Sequence, residues 1–141
     1  MKAEIILLLF LTALLWGSTP VMEKIGLAKT DPVTGVTIRS IAVTAALLLY
    51  LAFTGKLRAV FQADAKTIAI FSATGILAGL IGMITYFMAL KKGATSQIVP
   101  IAATYPLITA ILSMLILGER VTPLRILGTI LIVAGIWFVK G

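Results

Sequence analysis

Long uncharged stretches alternate with short charged clusters along the whole chain, and the stretches have membrane-spanning length. Gly93 to Gly118 carries no charge, enough helix at about 1.5 Å per residue to cross a hydrocarbon core of about 30 Å. Glu119-Arg120 closes that run. Thr122-Pro123 then reopens a helix, with threonine as N-cap and proline at the first helical position, where its missing N–H is harmless. Asp31-Pro32 repeats the signal ahead of a run reaching about Thr54. The first run, Ile5 to Met22, ends near Glu23-Lys24, and the third, about Thr67 to Leu90, turns at Lys91-Lys92-Gly93. The pattern predicts an all-α fold. It is a single domain over residues 1–141, a polytopic membrane helical bundle of five transmembrane helices at about 4–25, 33–54, 67–90, 95–118 and 123–139. The longest connection runs from Gly55 to Lys66, and no internal repeat or low-complexity segment divides the chain.

Lys2 ahead of the first run imitates a secretory leader. Glu4 at its start, and Leu15 or Trp16 at the −3 position of a cut after Gly17 or Ser18, favour an uncleaved span.

A few residues interrupt the apolar runs. Trp16, Gly17, Ser18, Thr19 and Pro20 load the second half of the first span with helix-loosening chemistry. Gly75, Gly79, Gly82 and Tyr86 share one face of the third, where the Gly75/Gly79 pair predicts close packing within the same subunit. Pro20, Pro100 and Pro106 are the expected helix breaks; each releases a backbone carbonyl that lipid cannot satisfy and a polar cavity can. Gly128 and Gly135, two turns apart, give the last span a face that another helix can approach closely. Counted by depth, Trp16, Thr44, Tyr105 and Pro106 fall near the midplane. Ser18, Thr19, Pro20, Arg39, Tyr86, Gln97 and Pro100 fall in the half nearer the C-terminal side.

Composition agrees with the pattern: 60% of the residues are hydrophobic and 12% charged, far from a soluble domain. The net charge of +7 is spread over short loops, which points to anionic lipid headgroups of the bilayer and not to nucleic acid. There is no cysteine for a disulfide and no histidine for proton shuttling or metal binding, so neither a metal site nor a cofactor is expected. An enzyme is not expected either, because phosphate-binding, zinc-protease and serine-triad motifs are all missing.

Five spans put the termini on opposite sides. Lys2, Lys56, Arg58, Lys66, Arg120 and Arg125 then lie on the N-terminal side, and Lys24, Lys29, Arg39, Lys91, Lys92 and Lys140 on the other. Orientation follows an excess of lysine and arginine in cytoplasmic loops. Six against six leaves none.

Gly118-Glu119-Arg120, Pro100, Pro106, Gly128 and Gly135 resemble an EamA-type unit of the drug/metabolite transporter superfamily, as do Trp16-Gly17-Ser18 and Tyr86 with Ala89-Leu90. The resemblance covers essentially the whole chain, in a single five-span form. It implies a multi-pass protein of the plasma or inner membrane of a prokaryote that transports small molecules by alternating access. Family members usually carry two such units in one chain, so this one is expected to be half of an inverted-repeat transporter, completed by an antiparallel, dual-topology homodimer. Gly128 and Gly135 resemble the dimer face of the small multidrug resistance branch and become candidate dimer contacts. That branch also places a glutamate in its first span, and Ile5 to Met22 has none. Lipophilic cations are therefore disfavoured, and an amino-acid-like neutral, zwitterionic or anionic metabolite is expected. The alternative is a non-transporting or heteromeric membrane subunit, such as half of a lipid-linked sugar flippase.

Candidate substrate-binding residues are Trp16, Ser18, Thr19, Arg39, Tyr86 and Tyr105. Arg39, about 10 Å inside the second span, has two readings: a charge partner for substrate, with Lys24, or a side chain that reaches headgroups or pairs with Asp31 or Glu23.

Overall fold

A computed structural model describes residues 2–139; Lys140, counted above on the C-terminal side, lies outside them. Its helices are α1 (Ala3–Leu27), α2 (Pro32–Phe53), α3 (Leu57–Phe61), α4 (Ala65–Thr74), α5 (Met83–Lys92), α6 (Thr95–Ala102), α7 (Tyr105–Leu117) and α8 (Pro123–Val139). A π-helical segment, Gly75–Gly82, joins α4 to α5 into one span, Ala65–Lys92. With no strand among the described residues, the fold is all-α. Ala3–Leu27, Pro32–Phe53, Ala65–Lys92 and Thr95–Leu117 are long and apolar enough to cross a membrane, and Pro123–Val139 is a shorter apolar helix of 17 residues.

Side-chain chemistry sets the helix ends. Asp31 accepts a hydrogen bond from the Thr34 backbone N–H at 3.0 Å and starts α2 with Pro32 next in line. Asp64 does the same for α4: the Thr67 N–H donates to it at 3.0 Å and the Thr67 hydroxyl at 2.6 Å. Thr122 opens α8 by accepting from the Arg125 N–H at its side-chain oxygen, 3.4 Å, while its carbonyl takes the Ile126 N–H at 3.1 Å. At the C-terminus of α7, Gly118 adopts a left-handed conformation (φ 64°), and the Glu119 N–H returns to the Ser113 carbonyl.

The chain forms two compact units, the first through Lys91 and the second from Lys92. In the first, Leu27, Val36, Phe87 and Leu90 are buried, with Pro20. They belong to the end of α1, the start of α2 and the end of α5. Gly35 permits this convergence, since a Cβ there would stand 3.3 Å from the Phe87 ring and 3.5 Å from Leu27. Two lysines reinforce it. Lys24 donates to the Leu90 and Lys91 carbonyls at 2.6 and 3.1 Å, meeting the open C-terminal turn of α5, and Lys91 donates to the Thr30 carbonyl at 2.7 Å. In the second unit α8 packs on α6 and α7, and Leu107, Ile130, Val133, Ala134 and Trp137 line a shallow apolar groove. Most other large apolar side chains are exposed, as expected where the surrounding solvent is lipid and hydrophobicity gives helices no reason to hide them.

Several expectations change. Within its unit, the Gly75/Gly79 face packs against nothing: no atom comes within 4 Å of a Cβ built at either glycine. The glycines instead lie in the π-helical segment, where the helix is wider and its hydrogen bonds reach one residue further. No break occurs at Pro20 either. Its missing N–H strands the Trp16 carbonyl, but the Thr19 hydroxyl donates to that oxygen at 3.1 Å, and α1 continues to Leu27. The first span runs to Leu27, two residues past the expected end near 25, with Glu23 and Lys24 inside the helix as the span of about 4–25 implied. Pro100 sits inside α6, two residues before its end. The interruption of the fourth span falls at Ala103-Thr104, directly before Tyr105 and Pro106.

Candidate functional site

In the first unit, the charged and polar side chains of interest gather at the end where α1, α2 and α5 converge. Glu23 belongs to the last turns of α1, Arg39 to the third turn of α2 and Tyr86 to the first turn of α5. Arg39 Nε lies 3.8 Å from Glu23 Oε1; the Glu23 side chain is 15% exposed and that of Arg39 49%. Tyr86 is half-buried, within electrostatic reach of Glu23, and its ring centroid is 6.2 Å from that of Phe87. Glu23 thus has Arg39 at 3.8 Å and Tyr86 within electrostatic reach.

Lys24 is not Arg39's companion in a charge site; its ammonium is committed to the α5 carbonyls. The sequence names Glu23 as a pairing partner for Arg39 and not as a site residue, although the span drawn at about 4–25 includes it, and the pairing is the one the structure shows.

The other candidates are more scattered. The Ser18 hydroxyl donates to the Leu15 carbonyl at 2.8 Å and that of Thr19 to Trp16, so both spend their protons on their own helix. Trp16 is 67% exposed. In the second unit Tyr105 is exposed at the start of α7, beside the interruption of the span. Around that interruption the Thr104 N–H and hydroxyl both donate to the Ile101 carbonyl, at 3.2 and 2.9 Å, and the Ala103 N–H donates to Val99. Pro106 offers no N–H to the Ala102 carbonyl four residues back. Gly128 and Gly135 meet no neighbouring atom within 4 Å of a built Cβ inside their unit.

Irregular backbone thus occupies the middle of two spans. In Ala65–Lys92 it is the π-helical segment, bracketed by hydroxyls: Thr74 donates to Phe71, and Thr85 donates to the Ile81 and Gly82 carbonyls at 3.1 and 2.9 Å. In Thr95–Leu117 it is the pinch at Ala103-Thr104. Among the described residues no group of acidic, cysteine or histidine side chains is arranged to hold a metal.

Comparison with known proteins matches residues 3–141 to the EamA-like transporter family. A protein described as an uncharacterized transporter in the cobO 3' region of a Sinorhizobium species is 26% identical over 117 residues, 83% of this chain and 82% of its own. An uncharacterized protein of Methanocaldococcus jannaschii is 31% identical over 133 residues, 93% of this chain and 92% of its own. No solved structure matches.

Proposed function

This chain belongs to the EamA-like transporter family, and on that premise we propose that it moves small metabolites across the membrane by alternating access, as an antiparallel homodimer of two five-span units. Its substrates are amino-acid-like: neutral, zwitterionic or anionic. The observation that carries this reading is the irregular backbone at mid-length of two spans, Gly75–Gly82 and Ala103-Thr104. At the second, Pro106 offers no N–H to the Ala102 carbonyl, and a carbonyl left unbonded towards hydrocarbon costs on the order of several kcal/mol, so a helix serving only as a scaffold gains nothing from that break. Transporters use it where backbone groups line a polar path near the midplane.

The antiparallel dimer rests on two further supports. Lysine and arginine are balanced six against six across the expected sides, which removes the usual orienting bias. The two relatives are matched over most of their own length, so units of this size recur. A copy in the opposite orientation supplies the inverted repeat that a single unit lacks. Because both relatives are prokaryotic, we assign the protein to the cell membrane of a prokaryote.

The test has two parts. C-terminal fusions to reporters active only in the cytoplasm or only outside it should both give signal; signal from one alone would remove the antiparallel dimer. Proteoliposomes loaded with unlabelled amino acids should then accumulate labelled ones by counterflow. Equal uptake by protein-free liposomes across the panel would remove the transport reading.

A further inference from the structure

The Glu23–Arg39 pair is looser than a hydrogen-bonded salt bridge. Structural pairs close to hydrogen-bonded contact, typically about 2.7–2.9 Å, because the short charge-assisted bonds offset the cost of leaving water. Here the two groups stand 3.8 Å apart, and among the described residues neither head group makes a hydrogen bond. A guanidinium with all its N–H donors open and a carboxylate with both oxygens open face each other from α1 and α2. The Glu23 side is largely covered and the Arg39 side half-open. The nearby ammonium groups do not complete it: Lys24 is held by the α5 carbonyls and Lys91 by Thr30. Tyr86, within electrostatic reach of Glu23, adds a third polar group at the same end.

We infer that Glu23 and Arg39 bind the zwitterionic head of an α-amino acid, its ammonium on the Glu23 carboxylate and its carboxylate on the Arg39 guanidinium. Charge conservation selects this class. A simple anion on Arg39 leaves the largely covered Glu23 without its counter-charge, which is strongly unfavourable, and a simple cation on Glu23 leaves the half-open Arg39 with solvent as its only partner. A zwitterion laid alongside pairs both and leaves neither over. The spacing suits it as well, since an ammonium and a carboxylate on one carbon are separated by a distance of the same order as the 3.8 Å between the protein groups. The two dipoles then lie antiparallel.

The site's place in transport rests on the function proposed above, whereas its binding chemistry does not, so the test reads binding. The full chain, purified in detergent, is titrated with labelled proteinogenic amino acids, and the best binder is compared with its N-acetyl form (an anion) and its methyl ester (a cation). The zwitterion should bind, with both analogues weaker by at least about tenfold. No binding across the panel, or equal binding of the three forms, would overturn the inference using the native protein alone. Among variants, Glu23→Gln with Arg39→Gln keeps the site neutral, so the chain still folds, and it should lose binding. Undiminished binding by that folded double variant would also overturn the inference. Arg39→Lys keeps the charge but loses the planar fork, and should weaken binding by about tenfold. Binding without counterflow would sink the transport reading and leave the site standing; counterflow without zwitterion binding would do the reverse.

Discussion

A proline inside a helix leaves one carbonyl without its donor, and α1 shows how a single neighbouring hydroxyl answers that. Thr19 donates to Trp16, the residue four before Pro20, and the helix does not break. Thr19→Val keeps the shape and removes the donor, so unfolding of the purified protein in denaturing detergent should show a loss of about 1 kcal/mol. Adding Pro20→Ala returns an N–H to the same carbonyl and should restore most of it; a neutral Thr19→Val would show that the hydroxyl contributes nothing. The N-cap at Asp64 supports a second prediction, in pH. Hydrogen bonds from the Thr67 hydroxyl and then the Thr67 N–H hold its carboxyl below the ordinary value of 3.8. A folded-state value lower than the unfolded one stabilises the protein fully above the unfolded value, and that contribution is lost as pH falls through the folded one. Asp64→Asn still caps but does not titrate, so melting temperatures measured from pH 6 downward should fall less steeply than in the native chain. Caps followed by proline, Asp31 and Thr122, were legible in the sequence. Asp64 has no proline after it, and its threonine three residues on was the overlooked sign.

At the scale of elements, the ends of α1, α2 and α5 meet through one small residue. Gly35 leaves room for the Phe87 ring, and any larger side chain must displace it. Gly35→Leu should destabilise the first unit by about 1–3 kcal/mol, read as earlier loss of helical signal in denaturant, whereas Gly17→Leu, at an open position of α1, should be nearly silent. Equal effects of the two would mean that the convergence of the three helices does not carry the unit's stability. The positions of the spans were legible because hydrophobic run length reports on the solvent around a helix. Their internal irregularities were less so. A row of glycines at helical spacing is compatible both with a tightly packed face and with a relaxed π-helical segment; Gly75–Gly82 forms the latter, and inside its own unit no side chain covers the Gly75/Gly79 face. Prolines, likewise, state that a hydrogen bond is missing but not how it is replaced. Pro20 is bridged by Thr19, while Pro106 coincides with an interruption of its span.

For the whole molecule, orientation in the membrane is the property most sensitive to small changes. Lipid-exposed apolar surface fixes that the helices cross the bilayer, but it is indifferent to direction; only the positive charges in short loops distinguish the two sides. With six on each, one charge should decide. Gln62→Lys, in the connection between α2 and α4, makes the N-terminal side seven against six. Lys29→Gln, in the turn between α1 and α2 on the opposite side, makes it six against five. The two variants alter different loops on different faces, yet both leave the N-terminal side one charge richer, and so both should shift the C-terminus outward. Cytoplasmic reporter signal should fall and external signal rise in each, and Lys56→Gln should do the opposite. Gln62→Glu is the control for local disturbance of the loop and should move neither signal far, because acidic residues contribute little to the orienting bias. If Gln62→Lys and Lys29→Gln shifted the reporters in opposite directions, charge parity would not be what leaves the chain unoriented. The antiparallel dimer would then lose the observation that motivates it.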